Sequence, residues 1–283
     1  MQTTAESSRK RPREDGGSSS MAAEGQEVSS SSASVDEAAS SSSSCPAAAK
    51  EASSSSSSCP AAAQEGPSNP VRVFIVFYPM HGQVERLARR ILDGVHSVQG
   101  VEAKLWAVPE PLAAELRAPT ESDVSTITAD EFLKADCVLF GFPARFGMMA
   151  SQFKAFLETT ELIAKETYLA TKPAGIFYSS NTPGSGQETA ALTAVTQLAH
   201  LGMILVPIGY PSDMNVFQPQ GGHLMEVKGG SPYGTGTYTG VDGSKQPTPR
   251  ELDSAFRQGR NTAKIAKQLK DCGFSQRCME DIW

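Results

Sequence analysis

Apolar residues in this chain recur in two arrangements. Short runs that are apolar at nearly every position alternate with longer stretches that are apolar every third or fourth residue. Val71 to Phe77 is the first short run, and its continuous character predicts a strand buried on both faces, as in a parallel sheet. After the turn Tyr78–Gln83, a helix is predicted with Val84, Leu87, Ala88, Ile91, Leu92 and Val95 on one face; Gly100 breaks it. Val101 to Val108 predicts a second strand ending at Pro109, and Glu110 to Asp130 reads as a long connection. Cys137 to Phe142 predicts a third strand, ended by Pro143 because proline brings no N–H to a sheet ladder. A helix from about Met149 follows, with Met149, Phe153, Phe156 and Leu157 inward. Lys172–Ser179 is a fourth strand, and a helix from about Gln187 turns Leu192, Val195 and Ala199 to the core. Met203–Gly209 is a fifth strand. Tyr210 to Pro249 is glycine-rich and aperiodic, a length of loop that is usually functional. The last helix carries Leu252, Ala255, Phe256, Gly259, Ala263, Ala266 and Leu269 on one face.

Five strand–helix alternations predict a three-layer α/β fold around a parallel sheet. Right-handed crossovers leave few topologies, and the simplest is the flavodoxin-like five-stranded order 2-1-3-4-5. In such sheets ligands bind beyond the carboxyl ends of the strands. Three predicted loops meet there. The first, Tyr78–Gln83, enters a helix N-terminus, where free N–H groups and the helix dipole attract anions. The second, Ala144–Gly147, presents a cation and an aromatic ring, Arg145 and Phe146. The third, Ser180–Gly186, is made of small and hydroxyl residues suited to hydrogen-bonding a flat polar ring. A phosphate at the first and a ring across the other two describes flavin mononucleotide (FMN). G-x-G-x-x-G is absent after the first strand, and so is a Walker A lysine.

Composition changes the picture mainly at the N-terminus. Ser fills 22 of the first 70 positions, which contain no Ile, Leu, Phe, Tyr or Trp. Such a segment cannot bury enough apolar surface to offset the entropy of ordering, and residues 1–70 are expected to be a disordered, low-complexity tail. Ser41–Glu51 and Ser55–Glu65 repeat one another within it. The expected organisation is this tail, a domain over 71–270 and a short C-terminal tail over 271–283. Arg9-Lys10-Arg11-Pro12-Arg13 is a compact basic cluster that could serve nuclear import; otherwise a cytoplasmic location is expected. The net charge of −6 gives no footprint for nucleic acid. No apolar run is long enough to span a membrane, and no secretory signal or lipidation box is legible. The scattered cysteines suggest neither a metal site nor a disulfide framework.

Six motifs make the chain resemble the WrbA family of FMN-dependent NAD(P)H:quinone oxidoreductases over about residues 71–270. They are Gly141–Met149, Gly186–Thr189, Ala199–Met203, Val206–Tyr210, Gly229–Gly234 and Asp242–Pro247. The resemblance implies a flavodoxin-like fold, FMN as cofactor and two-electron reduction of a quinone to a hydroquinone, with NADH or NADPH as co-substrate. It also implies a homotetramer. Carried onto this chain, Met80, His81, Gly82, Gln83 and Val84 belong to the phosphate loop. Ala144, Arg145, Phe146, Ser180, Asn181, Thr182, Gly184, Ser185 and His200 belong to the flavin ring site. No catalytic residue is assigned. The chain departs from the family at Pro79, His81, Gln83 and Ala144, at Asn181 and Pro183, and at Glu161–Ala164, where the family places Gly-Gly-Leu-Trp. Pro79 removes a hydroxyl and an N–H where a phosphate needs donors. These departures leave a second reading open, a flavodoxin-like binding or scaffold protein with weakened or lost FMN binding.

Overall fold

The computed structural model describes residues 69–80, 82–110, 123–163, 169–210 and 227–274. Expectations for the N-terminal tail with its basic cluster, for His81 and for most of the C-terminal tail lie outside the described residues. So do those for the side chains of 161–164.

Within the described residues, strands β1 (Val71–Phe77), β2 (Val101–Ala107), β3 (Cys137–Arg145), β5 (Pro173–Ser180) and β6 (Ile204–Leu205) form a parallel sheet ordered β2-β1-β3-β5-β6. This is the expected order 2-1-3-4-5. Helices α1 (Gln83–His96) and α5 (Pro249–Asp271) cover one face, where Val73, Ile75, Leu139 and Phe177 meet Leu87, Ile91, Ala255 and Ala263. Helices α2 (Ala129–Phe132), α3 (Ser151–Ile163) and α4 (Gln187–His200) cover the other. There Phe140, Phe142 and Tyr178 pack with Phe132, Phe153 and Ala194. Continuous apolar strands are thus accounted for by helices on both faces. Helices α1 and α5 approach closely through two glycines: a Cβ at Gly94 would lie 2.0 Å from the Phe256 carbonyl oxygen, and one at Gly259 would lie 2.2 Å from that of Ile91.

Three expectations need correction. First, Pro143 does not end β3, which runs on to Arg145. Tyr78 donates its N–H to the Gly141 carbonyl, so Gly141 faces β1; by alternation Pro143 also faces the β1 side, beyond the last β1 pair at Gly141. No ladder bond is lost there. Second, the core face of α4 is made of Ala190, Ala191, Ala194 and Leu198, while Leu192 and Ala199 are exposed. Val195, the third residue expected inward, is partly buried against the core, and small residues let the rest of the helix lie close on the sheet.

Third, the fifth position in the sheet is filled by two segments. β6 pairs with Pro173 and Ala174 and then leaves; Pro207, with no N–H to give, follows at once. β7 (Gly234–Tyr238) takes over beside Ile176 to Ser180. This strand lies inside the stretch expected to be loop. Its sequence, Gly-Thr-Gly-Thr-Tyr, lacks the bulky residues that mark strands because the space is taken. A Cβ at Gly234 would sit 1.9 Å from the Ile176 carbonyl oxygen, and one at Gly236 2.8 Å from the Tyr178 ring. Polar side chains hold β7 and the turn before it. Gln258 accepts the Thr235 N–H at 3.0 Å and donates to the Ile176 carbonyl at 2.8 Å. Gln187 accepts the Gly230 N–H at 2.7 Å and donates to the Thr237 carbonyl at 3.0 Å. Glu251, 1% exposed, accepts from the Gly229 N–H and the Thr237 hydroxyl while closing the capping box of α5 with Thr248.

Candidate active site

Four loops, not three, meet beyond the carboxyl ends of the strands. The first leaves β1 through Tyr78, Pro79 and Met80 and enters α1. Gly82 is its N-cap, in the left-handed conformation (φ 80°), with no side chain capping the helix. The first turn-closing bond runs from the Arg86 N–H to the Gly82 carbonyl, so the N–H groups at the helix start have no helical acceptor. A Cβ on Gly82 would meet nothing within 4 Å. This is a cradle with donors, positive dipole and room. Val84 contributes only backbone, because its side chain is in the core. Pro79 is buried and, with Ala107, Val108, Glu110, Val124 and Thr126, lines a small void of about 50 Å³ on the β2 side.

The second loop is a hairpin rather than a simple strand-to-helix connection. Ala144 and Arg145 pair antiparallel with Met149 and Met148 of β4 (Met148–Met149). Phe146 and Gly147 form the two-residue turn with φ 51° and 72°. Positive φ at both centres is what strand twist demands of such a turn. Glycine adopts it freely, whereas a phenylalanine held there stores of the order of 1–3 kcal/mol of strain. The Phe146 side chain is nevertheless fully exposed, with Met148 half exposed beside it. A strained, solvent-facing aromatic at a strand end fits a surface meant for a flat ligand. Arg145 donates from Nη2 to Met80 Sδ at 3.0 Å and so links this hairpin to the first loop.

The third loop follows β5. Thr182 donates its N–H to Ser185 Oγ at 2.7 Å, and Ser185 returns its own N–H to the Thr182 carbonyl at 3.1 Å. Ser180 is buried, its hydroxyl held by Gln187 Nε2 at 3.2 Å, so it shapes the loop. Gly184 is exposed, and a Cβ there would face open space. Gly186 (φ 73°) caps α4, and a Cβ on it would touch Gly147 at 3.1 Å, so the hairpin tip rests on this helix start. Two helix N-termini therefore point to the same edge of the sheet.

The fourth loop, 239–246, continues β7. Thr239 donates its N–H to the Ser180 carbonyl at 2.8 Å, and Gly240 donates to the Asn181 carbonyl at 3.0 Å. Gln83 reaches into it, donating from Nε2 to the carbonyls of Gly243 at 2.7 Å and Lys245 at 3.2 Å. Gln83, expected in the phosphate loop, thus commits its side-chain amide N–H groups to the fourth loop. Its Oε1 is buried with no partner among the described residues. Asp242 accepts the N–H and hydroxyl of Ser244 at 3.1 and 2.9 Å, which hold its carboxyl below the usual carboxylate range. A Cβ at Gly243 would also meet nothing within 4 Å. The only sequence signal for this loop was the Asp242–Pro247 motif, which carried no role until β7 placed it.

His200 does not join this group. It is the last residue of α4, a helix of 14 residues that starts at the site, and it is exposed. At 1.5 Å per residue that end lies about 20 Å away. Within one chain the structure brings together Met80, Gly82, Gln83, Val84, Ala144, Arg145, Phe146, Ser180, Asn181, Thr182, Gly184 and Ser185, and it separates His200 from them.

A family model described as NADPH-dependent FMN reductase matches residues 80–217. The chain is 54% identical over 203 residues to the quinone-oxidoreductase QR2 of Triphysaria versicolor, covering 70% of this chain and 97% of that protein. It is 49% identical over 207 residues to the probable NAD(P)H dehydrogenase (quinone) FQR1-like 2 of Arabidopsis thaliana, covering 71% and 74%. A solved structure described as the flavodoxin, WrbA-like protein from Agrobacterium tumefaciens shares the fold, with a TM-score of 0.50 at 17% identity over 70% of this chain and 98% of that one. With the flavodoxin-like sheet, the loops at its carboxyl edge and a quinone-oxidoreductase relative 54% identical and covered over 97% of its length, the chain belongs to the WrbA family of NAD(P)H:quinone oxidoreductases.

Proposed function

We propose that this protein is an FMN-dependent NAD(P)H dehydrogenase (quinone), reducing quinones to hydroquinones by two electrons. The observation that carries the reading is the open cradle itself. Gly82, Gly184 and Gly243 lie on three different loops, and at each of them a Cβ would meet nothing within 4 Å among the described residues. Two helix N-termini face the same place. The residues present fit a phosphorylated flavin. When bound, FMN supplies the hydride and two-electron chemistry that no side chain here could supply. The chain's own part is placement. The free N–H groups at the start of α1 would hold the phosphate, and the third-loop backbone around Thr182–Ser185 would hydrogen-bond the ring edge. Arg145 would put positive charge near the developing anion, and Phe146 would cover the ring and shed water. Fixed dipoles of this kind stabilise developing charge at no cost in reorganisation.

Pro79 costs the cradle one hydroxyl and one N–H, and a lost bond to a charged group costs about 1.5–3 kcal/mol, or tenfold to a hundredfold in affinity. The helix-start donors remain. Titration of FMN into the purified full chain, followed by flavin fluorescence, is expected to saturate at micromolar concentration, with quinone-dependent NAD(P)H oxidation in the loaded protein. Absence of binding at millimolar FMN would leave the scaffold reading instead. Loaded protein that passes electrons from NAD(P)H to none of the quinones offered would remove quinone reduction.

Among the described residues no helix is long and apolar enough to cross a membrane. We propose a cytoplasmic location with nuclear entry through Arg9–Arg13. Replacing Arg9, Lys10, Arg11 and Arg13 with alanine is expected to lower the nuclear fraction of a fluorescent fusion, and an unchanged distribution would remove the import signal.

A further inference from the structure

Strand β2 is the edge of the sheet, and among the described residues its outer side has no partner along most of its length. Gly100 gives its carbonyl to the Val71 N–H, and Val108 gives its N–H to the Phe77 carbonyl, so the even-numbered residues of this strand face β1. The odd-numbered ones face outward. Ala107 is covered, because it exchanges bonds with Ser125 and Ile127 at 3.0 and 2.9 Å. Val101, Ala103 and Leu105 have no outward partner among the described residues. Natural edge strands are normally protected by charge, typically lysines of one sign. Here the two exposed residues on this stretch have opposite signs, Glu102 and Lys104, on either side of Ala103.

We infer that this edge pairs with the same edge of a second copy, antiparallel and centred on Ala103. The register follows from the backbone. Only outward-facing residues can exchange N–H and C=O groups, so Ala103 must face Ala103 of the second copy, and Val101 must face Leu105. The residues between them then stand opposite one another as the closer, non-hydrogen-bonded pairs. Glu102 of each copy meets Lys104 of the other. A strand guarded by two lysines would repel its twin; this one is self-complementary, as a two-fold interface must be. Both members are poised for it. Lys104 is held along the strand by its ammonium 3.7 Å over the Trp106 ring, and Glu102 has no ion pair among the described residues. Val101 and Leu105, partly buried against the α1 side, would cover each other's remaining apolar surface. On the face that carries Glu102 and Lys104, a cleft of about 460 Å³ between Phe74 on the sheet and Glu131 and Lys134 gives the incoming side chains room.

The edge pairing is separate from the flavin cradle, since Glu102 and Lys104 lie in the first half of β2 and the cradle lies beyond its far end. The test uses the full chain and its mass in solution from sub-micromolar to tens of micromolar, by sedimentation velocity. Wild-type protein is expected to form an even-numbered assembly. Lys104→Glu sets four carboxylates together across the two-fold and is expected to weaken that assembly at least tenfold, halving the mass at intermediate concentrations, with FMN uptake unchanged. Glu102→Lys combined with Lys104→Glu exchanges the signs and is expected to restore the wild-type mass. A monomeric wild type at tens of micromolar would overturn the proposal. So would a Lys104→Glu protein of unchanged mass, or a loss that the double exchange does not repair.

Discussion

Glu251→Ala is expected to unfold this protein more readily than any other single truncation of a polar side chain in the described residues. One carboxylate, 1% exposed, serves three donors from three segments: the Gly229 N–H at 2.7 Å, the Thr248 N–H at 2.8 Å and the Thr237 hydroxyl at 2.9 Å. Removing it leaves those donors without their acceptor, and each buried orphan costs about 1–3 kcal/mol. Some relaxation will occur, so about 4 kcal/mol is the expected loss. For a domain of this size that corresponds to a fall in Tm of roughly 10 °C. The effect should extend to function, because β7 carries the fourth loop into the site. At a temperature where Glu251→Ala is still folded, its FMN affinity is expected to fall as well. Glu251→Gln keeps an acceptor oxygen but turns an amide group towards one of the donors, and should lose about half as much. Thermal melts of the three proteins, with and without FMN, measure this. An alanine variant that melts within roughly 2–3 °C of wild type, well inside the shift argued from those three bonds, would show that β7 is held by other means.

Gly82→Val should have the largest effect on the cofactor for its effect on packing. Gly82 has φ 80° and opens α1 with no neighbour within 4 Å of where a Cβ would stand. A β-branched residue in that conformation costs about 1–2 kcal/mol of backbone strain. Its Cβ would meet no described atom within 4 Å, and the added bulk at the N-cap is expected to crowd a phosphate held by the N–H groups of the first turn. FMN affinity is therefore expected to fall by roughly a hundredfold, equivalent to about 2.7 kcal/mol, while the far-ultraviolet spectrum stays that of wild type. Gly82→Ala should show the same direction with a smaller loss. Flavin fluorescence titration reads both. If the valine protein binds FMN as wild type does, the phosphate does not sit at the start of α1.

The two substitutions separate kinds of information held in the chain. Gly82 was legible in the amino-acid sequence alone: a continuous apolar strand, a tight turn and an amphipathic helix place a glycine at a helix start whatever the rest of the molecule does. The hairpin residues Arg145 and Phe146 and the hydroxyl-rich loop Ser180–Ser185 were legible for the same reason, because strand-end loops in an alternating α/β chain must gather at one edge. Glu251 was not. Its role depends on β7, and β7 is written in glycine and threonine because the Ile176 backbone and the Tyr178 ring occupy the volume that side chains would need.

The sequence by itself therefore determined the layer order, the buried strands and three of the four loops of the site, since each follows from local periodicity and turn chemistry. Only the tertiary structure decided what depends on neighbours distant in the chain. It ran β3 through Pro143, because β1 has already ended there and asks for no N–H. It committed the Gln83 amide to the Gly243 and Lys245 carbonyls, some 160 residues away, instead of to a ligand. It carried His200 to the far end of α4, because a helix of that length points its last residue away from the edge where it began.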